Sequence, residues 1–155
     1  MGEDSGGIAG LLTFTSDEGI AAHQAIADVI HEEGALVIAQ LLDVMGTGAS
    51  STFKETTTFE STLGGGRMQS TEEVQQEIQN FIDAAERYYK AGFDGVELNA
   101  SCNHYFSTFL SRRANIERTD QYSGASIENR CRILTEIIEG IRERLGEDFV
   151  VQVLY

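Results

Sequence analysis

The sequence has no proline and no tryptophan, only two cysteines, and few basic residues: 11 Lys and Arg stand against 25 Asp and Glu. Cys102 and Cys131 are too few for a disulfide framework or a four-cysteine metal site, so we expect reduced thiols and no bound metal. The net charge of −14 repels phosphate backbones and anionic lipids, which argues against nucleic acid and membrane surfaces as partners. No apolar run approaches the roughly 18 residues of a membrane span, and no basic leader opens the chain, so we expect a cytoplasmic protein.

The composition is that of a chain that folds. Apolar residues make up 41% of the 155 positions and charged residues 23%, close to the usual globular mixture. The length corresponds to one domain or to a piece of a larger one. We therefore treat residues 1–155 as a single domain.

A unit of helix, glycine and strand occurs three times along the chain. The helical patterns cover 17–33, 71–91 and 126–145, and apolar, β-branched runs follow them at 35–41, 94–99 and 149–154. Between each pair stands a glycine where a left-handed residue would end the helix: Gly34, Gly92 and Gly146. The repetition predicts helices that cross back over a parallel sheet.

An additional strand is predicted at the start of the chain, over 7–14. The order is then β-α-β-α-β-α-β, and right-handed crossovers place the three helices on one face of four sequential parallel strands. Such an α/β sheet is either barrel-type or doubly wound. In both, ligands bind at the carboxyl ends of the strands, so polar residues there are the first candidates for chemistry.

Polar residues end two of the predicted strands. Gln40 ends an otherwise apolar strand, and we expect its side chain to point inward, shielded from water, and to need hydrogen-bond partners. Asn99 ends another strand and opens a loop, 100–125, that contains Cys102, His104 and Tyr105. A histidine suits general acid chemistry at neutral pH, although a lone loop histidine is more often simply solvated. Cys102 also has a weaker interpretation as a nucleophilic or redox thiol.

The run Ala84-Ala-Glu-Arg-Tyr-Tyr-Lys-Ala-Gly-Phe-Asp-Gly-Val-Glu-Leu-Asn99 and the residues after it form a recognisable set. They include Phe109-Leu-Ser111, Asn115, Arg118, Asp120, Tyr122 and Glu128-Asn-Arg130. Together they resemble the old yellow enzyme family of FMN-dependent NADH:flavin oxidoreductases. The resemblance implies an eight-stranded β/α barrel, of which this chain is a partial barrel matching the second to fifth strands.

The resemblance also implies a cofactor, a reductant and a substrate class. These are FMN, NAD(P)H, and an activated alkene or related small-molecule electrophile. Gln40 matches the glutamine that hydrogen-bonds the flavin pyrimidine edge. Asn99 and Cys102 match the pair that binds the substrate's electron-withdrawing oxygen, where a cysteine is only a weak donor.

Three further positions depart from the family pattern or leave a choice open. His104 stands where the family has a proton-donating tyrosine, with Tyr105 beside it, and either could supply the proton. Leu154 stands where the family has an arginine near the flavin. A second interpretation is a non-catalytic half-barrel, since exposed strand edges and uncovered helix faces promote association with a second copy or with a complementary half-barrel.

Overall fold

The computed structural model describes residues 16–41, 68–101 and 105–155. A short 3-10 turn, Asp17–Gly19, leads into the first helix. The helices of these ranges are α1 (Ile20–Glu32), α2 (Thr71–Lys90), α3 (Tyr105–Leu110) and α4 (Ile127–Leu145). The strands are β1 (Ile38–Leu41), β2 (Gly95–Asn99) and β3 (Val150–Leu154). The predicted strand over 7–14 lies outside the described residues and stays a prediction.

Within the described ranges the strands form one parallel sheet in the order β1-β2-β3. Ile38 pairs with Gly95, which pairs with Val150 in turn, and the register continues without a bulge to the ends of the strands. The prediction of sequential parallel strands joined by helices is confirmed for these three. Each of the three strands begins later than predicted. β1 starts at Ile38 rather than at residue 35, and β2 and β3 each start one residue later than predicted, at Gly95 and Val150.

The helix ends follow the local signals in the sequence. Ser70 and Glu73 form a capping box at the start of α2: the Glu73 amide donates to Ser70 Oγ at 3.2 Å, and the Ser70 amide donates to Glu73 Oε2 at 2.8 Å. The three predicted helix-ending glycines all have positive φ, at 75° for Gly34, 80° for Gly92 and 85° for Gly146. Glycine adopts this conformation at no steric cost, so it reverses the chain toward the next strand.

The core lies between the helices and one face of the sheet. Val96 and Leu98 of β2 are fully buried there, beside Ala39 and Leu41 of β1. From the helices come Val74, Phe81 and Ala85 of α2 and Ile133, Ile137 and Ile141 of α4, all buried. No helix in the described part of the chain is long and apolar enough to cross a membrane.

Helix α3 differs from the sequence prediction, which gives a loop over 100–125. Its six residues are too few for a periodic pattern, and its buried members are Tyr105, Phe106, Thr108 and Phe109. Phe106 packs on Phe81 of α2 with ring centroids 4.7 Å apart. The helix therefore depends on contacts with a distant segment of the chain rather than on its own propensity.

Gly95 is required where β2 and β3 meet. A Cβ at this position would lie 2.6 Å from Val150 Cβ and closer still to the Val150 carbonyl oxygen. We expect Gly95→Ala to lower the free energy of unfolding by about 1–3 kcal/mol, because the backbone of β3 must shift. Gly140→Ala is the control, since its Cβ would meet only the end of the Ile82 side chain, which can move. Equal costs for the two substitutions in urea denaturation would contradict the close approach at Gly95.

Asp94 ties the end of α1 to the turn before β2. Its Oδ2 accepts hydrogen bonds from His31 Nε2 at 2.8 Å and from the Val37 amide at 2.7 Å. These bonds, the one from His31 first, hold the pKa of Asp94 below its ordinary value of 3.8. A carboxylate with a lowered pKa stabilises the folded state above its unfolded pKa, and the contribution is lost as the pH falls through the folded value.

We therefore expect Asp94→Asn to cost about 1 kcal/mol of unfolding free energy at pH 7 and progressively less below pH about 4. The measurement is urea denaturation of both proteins over this pH range. A difference that stays constant down to the lowest pH would show that the charge of Asp94 does not contribute.

Candidate functional site

A row of polar side chains crosses the sheet on the face that the described helices leave uncovered. Gln40 of β1 is paired in register with Glu97 of β2, and Glu97 with Gln152 of β3. Side chains alternate along a strand, so these three point away from the core that holds Val96 and Leu98. We call Gln40, Glu97 and Gln152 the polar row.

The expectation that Gln40 is shielded from water is wrong for the described chain. Along β1, Ala39 and Leu41 are buried while Gln40 is exposed. The physical reason is that the described helices cover only the opposite face of the sheet. The expectation that its amide needs polar partners is correct, and those partners are side chains of the neighbouring strand.

Hydrogen bonds run along the polar row. Gln40 Nε2 donates to Glu97 Oε1 at 2.5 Å. Gln152 Nε2 donates to the other oxygen of the same carboxylate, Glu97 Oε2. The carboxylate of the middle strand thus joins the amides of the two outer strands.

Asn99 joins this group at the carboxyl end of β2. Its Nδ2 donates to Gln40 Oε1 at 3.2 Å. Its Oδ1 accepts from the Ser101 amide at 3.0 Å and from Ser101 Oγ at 2.8 Å. Since the oxygen of Asn99 is turned toward Ser101, its Nδ2 is the end of the amide that faces Gln40. The structure therefore brings together two of the site residues expected from the sequence, Gln40 and Asn99.

Of the remaining expected site residues, Tyr105 is the one that falls within the described ranges. Cys102 and His104 lie outside the described residues. Tyr105 is buried in the aromatic core, with its ring 5.4 Å from that of Phe109, and its hydroxyl donates to Gln69 Oε1 at 2.8 Å. Cys131 is a free, partly buried thiol in α4, as expected.

The sequence interpretation missed Glu97 and Gln152 as site residues. In the sequence, Glu97 stands within the motif that carries the family resemblance, and Gln152 belongs to no motif. The signal was present in β3, where Gln152 is the polar residue in the run Val150-Val-Gln-Val-Leu154. Its meaning depends on the register with β2, which the sequence alone does not specify.

The loop after β2 is held by an ion pair between a buried arginine and a partly exposed aspartate. The Arg118 side chain is 3% exposed; it donates to Asp120 Oδ2 at 2.5 Å and to the Gln69 carbonyl oxygen. Asp120 Oδ2 also accepts from Thr71 Oγ1 at 2.6 Å, at the first residue of α2. The pair therefore fastens the loop to the start of that helix.

Two further motif residues complete this anchor. Asn115 Nδ2 donates to the carbonyl oxygens of Phe109, at 3.1 Å, and of Tyr122, at 2.7 Å. The Tyr122 hydroxyl donates to Glu136 Oε2 at 2.7 Å, and burial first, then this bond, raises the pKa of Tyr122 to about 12. The motif residues thus fix the loop that follows the candidate site, and Tyr122 stays protonated at any physiological pH.

Comparison with known proteins gives a consistent result. The family model for the NADH:flavin oxidoreductase / NADH oxidase family matches residues 1–155. The 12-oxophytodienoate reductase 1 of Oryza sativa subsp. japonica is 35% identical over 140 residues, which are 82% of this chain and 36% of that protein. The chain spans about a third of the length of such curated relatives.

Solved structures agree with this match. The old yellow enzyme from Pichia sp. AKU4542 superposes with a TM-score of 0.77 at 26% identity, covering 89% of this chain and 40% of that one. Histamine dehydrogenase from Rhizobium sp. 4-9 gives a TM-score of 0.77 at 27% identity, covering 89% and 22%. The described fold is thus part of a β/α barrel, and the chain belongs to the old yellow enzyme family of NADH:flavin oxidoreductases.

Proposed function

We propose that this chain is the part of an FMN-dependent oxidoreductase that contacts the flavin ring edge and the substrate, an activated alkene or related electrophile. The observation that carries the proposal is the pair Gln40 and Asn99, joined by a 3.2 Å hydrogen bond where β1 and β2 end. Ligands of parallel α/β folds bind at this edge of the sheet. Family membership supplies the class of reaction.

The chemistry of the residues present fits a flavin ring edge. An amide offers both an N–H donor and an oxygen acceptor, which is what a ring edge with alternating carbonyl and N–H groups requires. Gln40 is exposed on the uncovered face of the sheet, so a planar ligand can reach it. The chemistry that bound FMN would supply at this site is hydride transfer between NAD(P)H and the electrophile.

Asn99 has the geometry of a donor to a substrate oxygen. Ser101 occupies its oxygen, so the end of the amide that remains for a ligand is Nδ2. A fixed N–H donor near a developing negative charge on oxygen lowers the barrier, because it needs no reorganisation during the reaction. Asn99 would therefore polarise the activating oxygen of the electrophile, with Cys102 contributing at most a weak bond.

The proton donor in this proposal is His104. The alternative, Tyr105, is a buried core residue whose hydroxyl is bonded to Gln69, and this favours His104. Loss of a positioned proton donor typically lowers a rate about 10²- to 10⁴-fold.

We expect the chain to bind FMN and riboflavin with similar dissociation constants, both weaker than about 1 μM. The polar row contributes no cation, and the net charge of −14 repels the phosphate of FMN. Gln40→Ala should weaken both ligands about tenfold, because one hydrogen-bonding side chain is lost. Gln76→Ala, at an exposed glutamine of α2, should change neither.

The dissociation constants are measured by titrating the chain with each flavin and following fluorescence and the backbone NMR spectrum. Shifts confined to residues around Gln40 and Asn99 support the proposal. It fails if neither flavin at millimolar concentration perturbs these residues. FMN bound more than tenfold tighter than riboflavin would reveal a phosphate site within the chain.

A second candidate function is that of a non-catalytic half-barrel that associates. It is favoured by apolar side chains on the uncovered face of the sheet: Ile38 is 37% exposed, Val150 38% and Leu154 42%. Covering them would contribute about 25 cal/mol per Å² of apolar surface, before the entropic cost of association. The occupant is either a second copy of the chain or a complementary half-barrel.

We expect the chain to form dimers or larger species at high micromolar concentration, and Ile38→Ser with Leu154→Ser to shift it toward monomer. Sedimentation velocity at several concentrations measures this. Val29→Ser, on the exposed side of α1, is the control. A chain that stays monomeric and unfolds cooperatively would contradict self-association.

A further inference from the structure

The carboxylate at the centre of the polar row constrains both of its neighbours. Glu97 Oε1 faces Gln40 and Oε2 faces Gln152. An ionised carboxylate only accepts hydrogen bonds, so each amide must turn its Nε2 toward Glu97. A carboxylate at this position therefore attracts the N–H end of each amide and repels its oxygen end, whereas an apolar residue would favour neither orientation.

The consequence for Gln40 is a fixed orientation. Its Nε2 is directed to Glu97, and its Oε1 accepts from Asn99 Nδ2. Rotating the amide by 180° would oppose its oxygen to the Glu97 carboxylate and its N–H groups to those of Asn99. Both contacts would become repulsive, so the two neighbours enforce the same orientation.

One N–H and one oxygen lone pair of the Gln40 amide remain for a ligand. Each amide nitrogen carries two N–H groups, of which Glu97 uses one, and each oxygen has two lone pairs, of which Asn99 uses one. The remaining donor and acceptor belong to the same planar amide. They fit a planar ring edge that presents a carbonyl next to an N–H, as a cyclic imide does.

We propose that Glu97 is a positioning residue, held by Gln152, that fixes the Gln40 amide in the orientation required for such a ring edge. This inference rests on the proposed function, in which the ring edge belongs to a flavin. Glu97 acts through Gln40 rather than by touching the ligand. Gln152 acts one step further away, by occupying the second oxygen of Glu97.

The alternative is that Glu97 only fastens the three strands together. Moving the carboxylate from position 97 to position 152 distinguishes the positioning role from the purely structural one. In Glu97→Gln with Gln152→Glu, the amide introduced at position 97 can donate to the carboxylate at position 152 and still accept from Gln40 Nε2. Composition and net charge are unchanged, and the orientation of Gln40 is kept. Glu97→Leu removes the constraint altogether.

The test uses the complete 155-residue chain and riboflavin as the probe. The side-chain N–H resonances of Gln40 are identified as those that disappear in Gln40→Ala. In Glu97→Leu we expect them to move to the positions of a solvent-exposed glutamine, and riboflavin affinity to fall about tenfold. In the double variant we expect both the resonances and the affinity to return to those of the unsubstituted chain.

Val150→Ala is the matched control for stability, because it removes side-chain volume from the same face of β3 without touching the carboxylate. It should lower the unfolding temperature and leave the Gln40 resonances in place. Unchanged Gln40 resonances in Glu97→Leu would overturn the proposal. So would a double variant that is folded by its backbone NMR spectrum but does not restore them.

If the proposed function is wrong, the riboflavin titration gives a result that differs from failure of the Glu97 proposal. In that case riboflavin perturbs neither Gln40 nor Asn99 in the unsubstituted chain. The Gln40 resonances of Glu97→Leu and of the double variant still decide whether Glu97 positions the amide.

Discussion

Parallel pairing of β1, β2 and β3 in one register determines where the functional groups of this chain lie. Because side chains alternate along a strand, the register that pairs Glu97 with Gln40 and Gln152 also turns Val96 and Leu98 toward the helices. A slip of one residue in any strand would exchange its two faces. The helix-ending glycines and the crossover helices support this register, since each helix must return the chain to the start of the next strand. The carboxyl ends of the strands then meet at one edge, where Gln40 and Asn99 come within hydrogen-bond distance.

The site and its support use polar groups in different ways. In the polar row, Glu97 collects two amide donors on an exposed face, where the hydrogen bonds specify orientation more than they add stability. In the loop anchor, the buried Arg118 pairs with the partly exposed Asp120 at the start of α2, and removing Asp120 would leave the buried guanidinium without its carboxylate partner. The first arrangement leaves donors and acceptors for a ligand. The second fixes the loop that follows the site.

Features that depend on neighbours in the chain could be predicted from the sequence. The capping box at Ser70 and the left-handed Gly34 are examples, since each is set by a few adjacent residues. Helix α3 could not be predicted, because its aromatic residues need Phe81 of α2 to pack against. The exposure of Gln40 was predicted wrongly for a related reason: burial depends on which face of the sheet other elements cover. The role of Glu97 required the register of three strands, which no local pattern contains.

The positions of all the site residues depend on the register of the sheet. Interstrand NOEs in the isotope-labelled chain measure it, because parallel and antiparallel strands bring different backbone protons together. We expect amide-to-Hα contacts typical of parallel strands between the Gln40 and Glu97 neighbourhoods and between the Glu97 and Gln152 neighbourhoods. We also expect contacts between Glu97 side-chain protons and those of both glutamines. Hα-to-Hα contacts between opposed strands, or a register shifted by one residue that places Gln40 against the helices, would contradict these expectations.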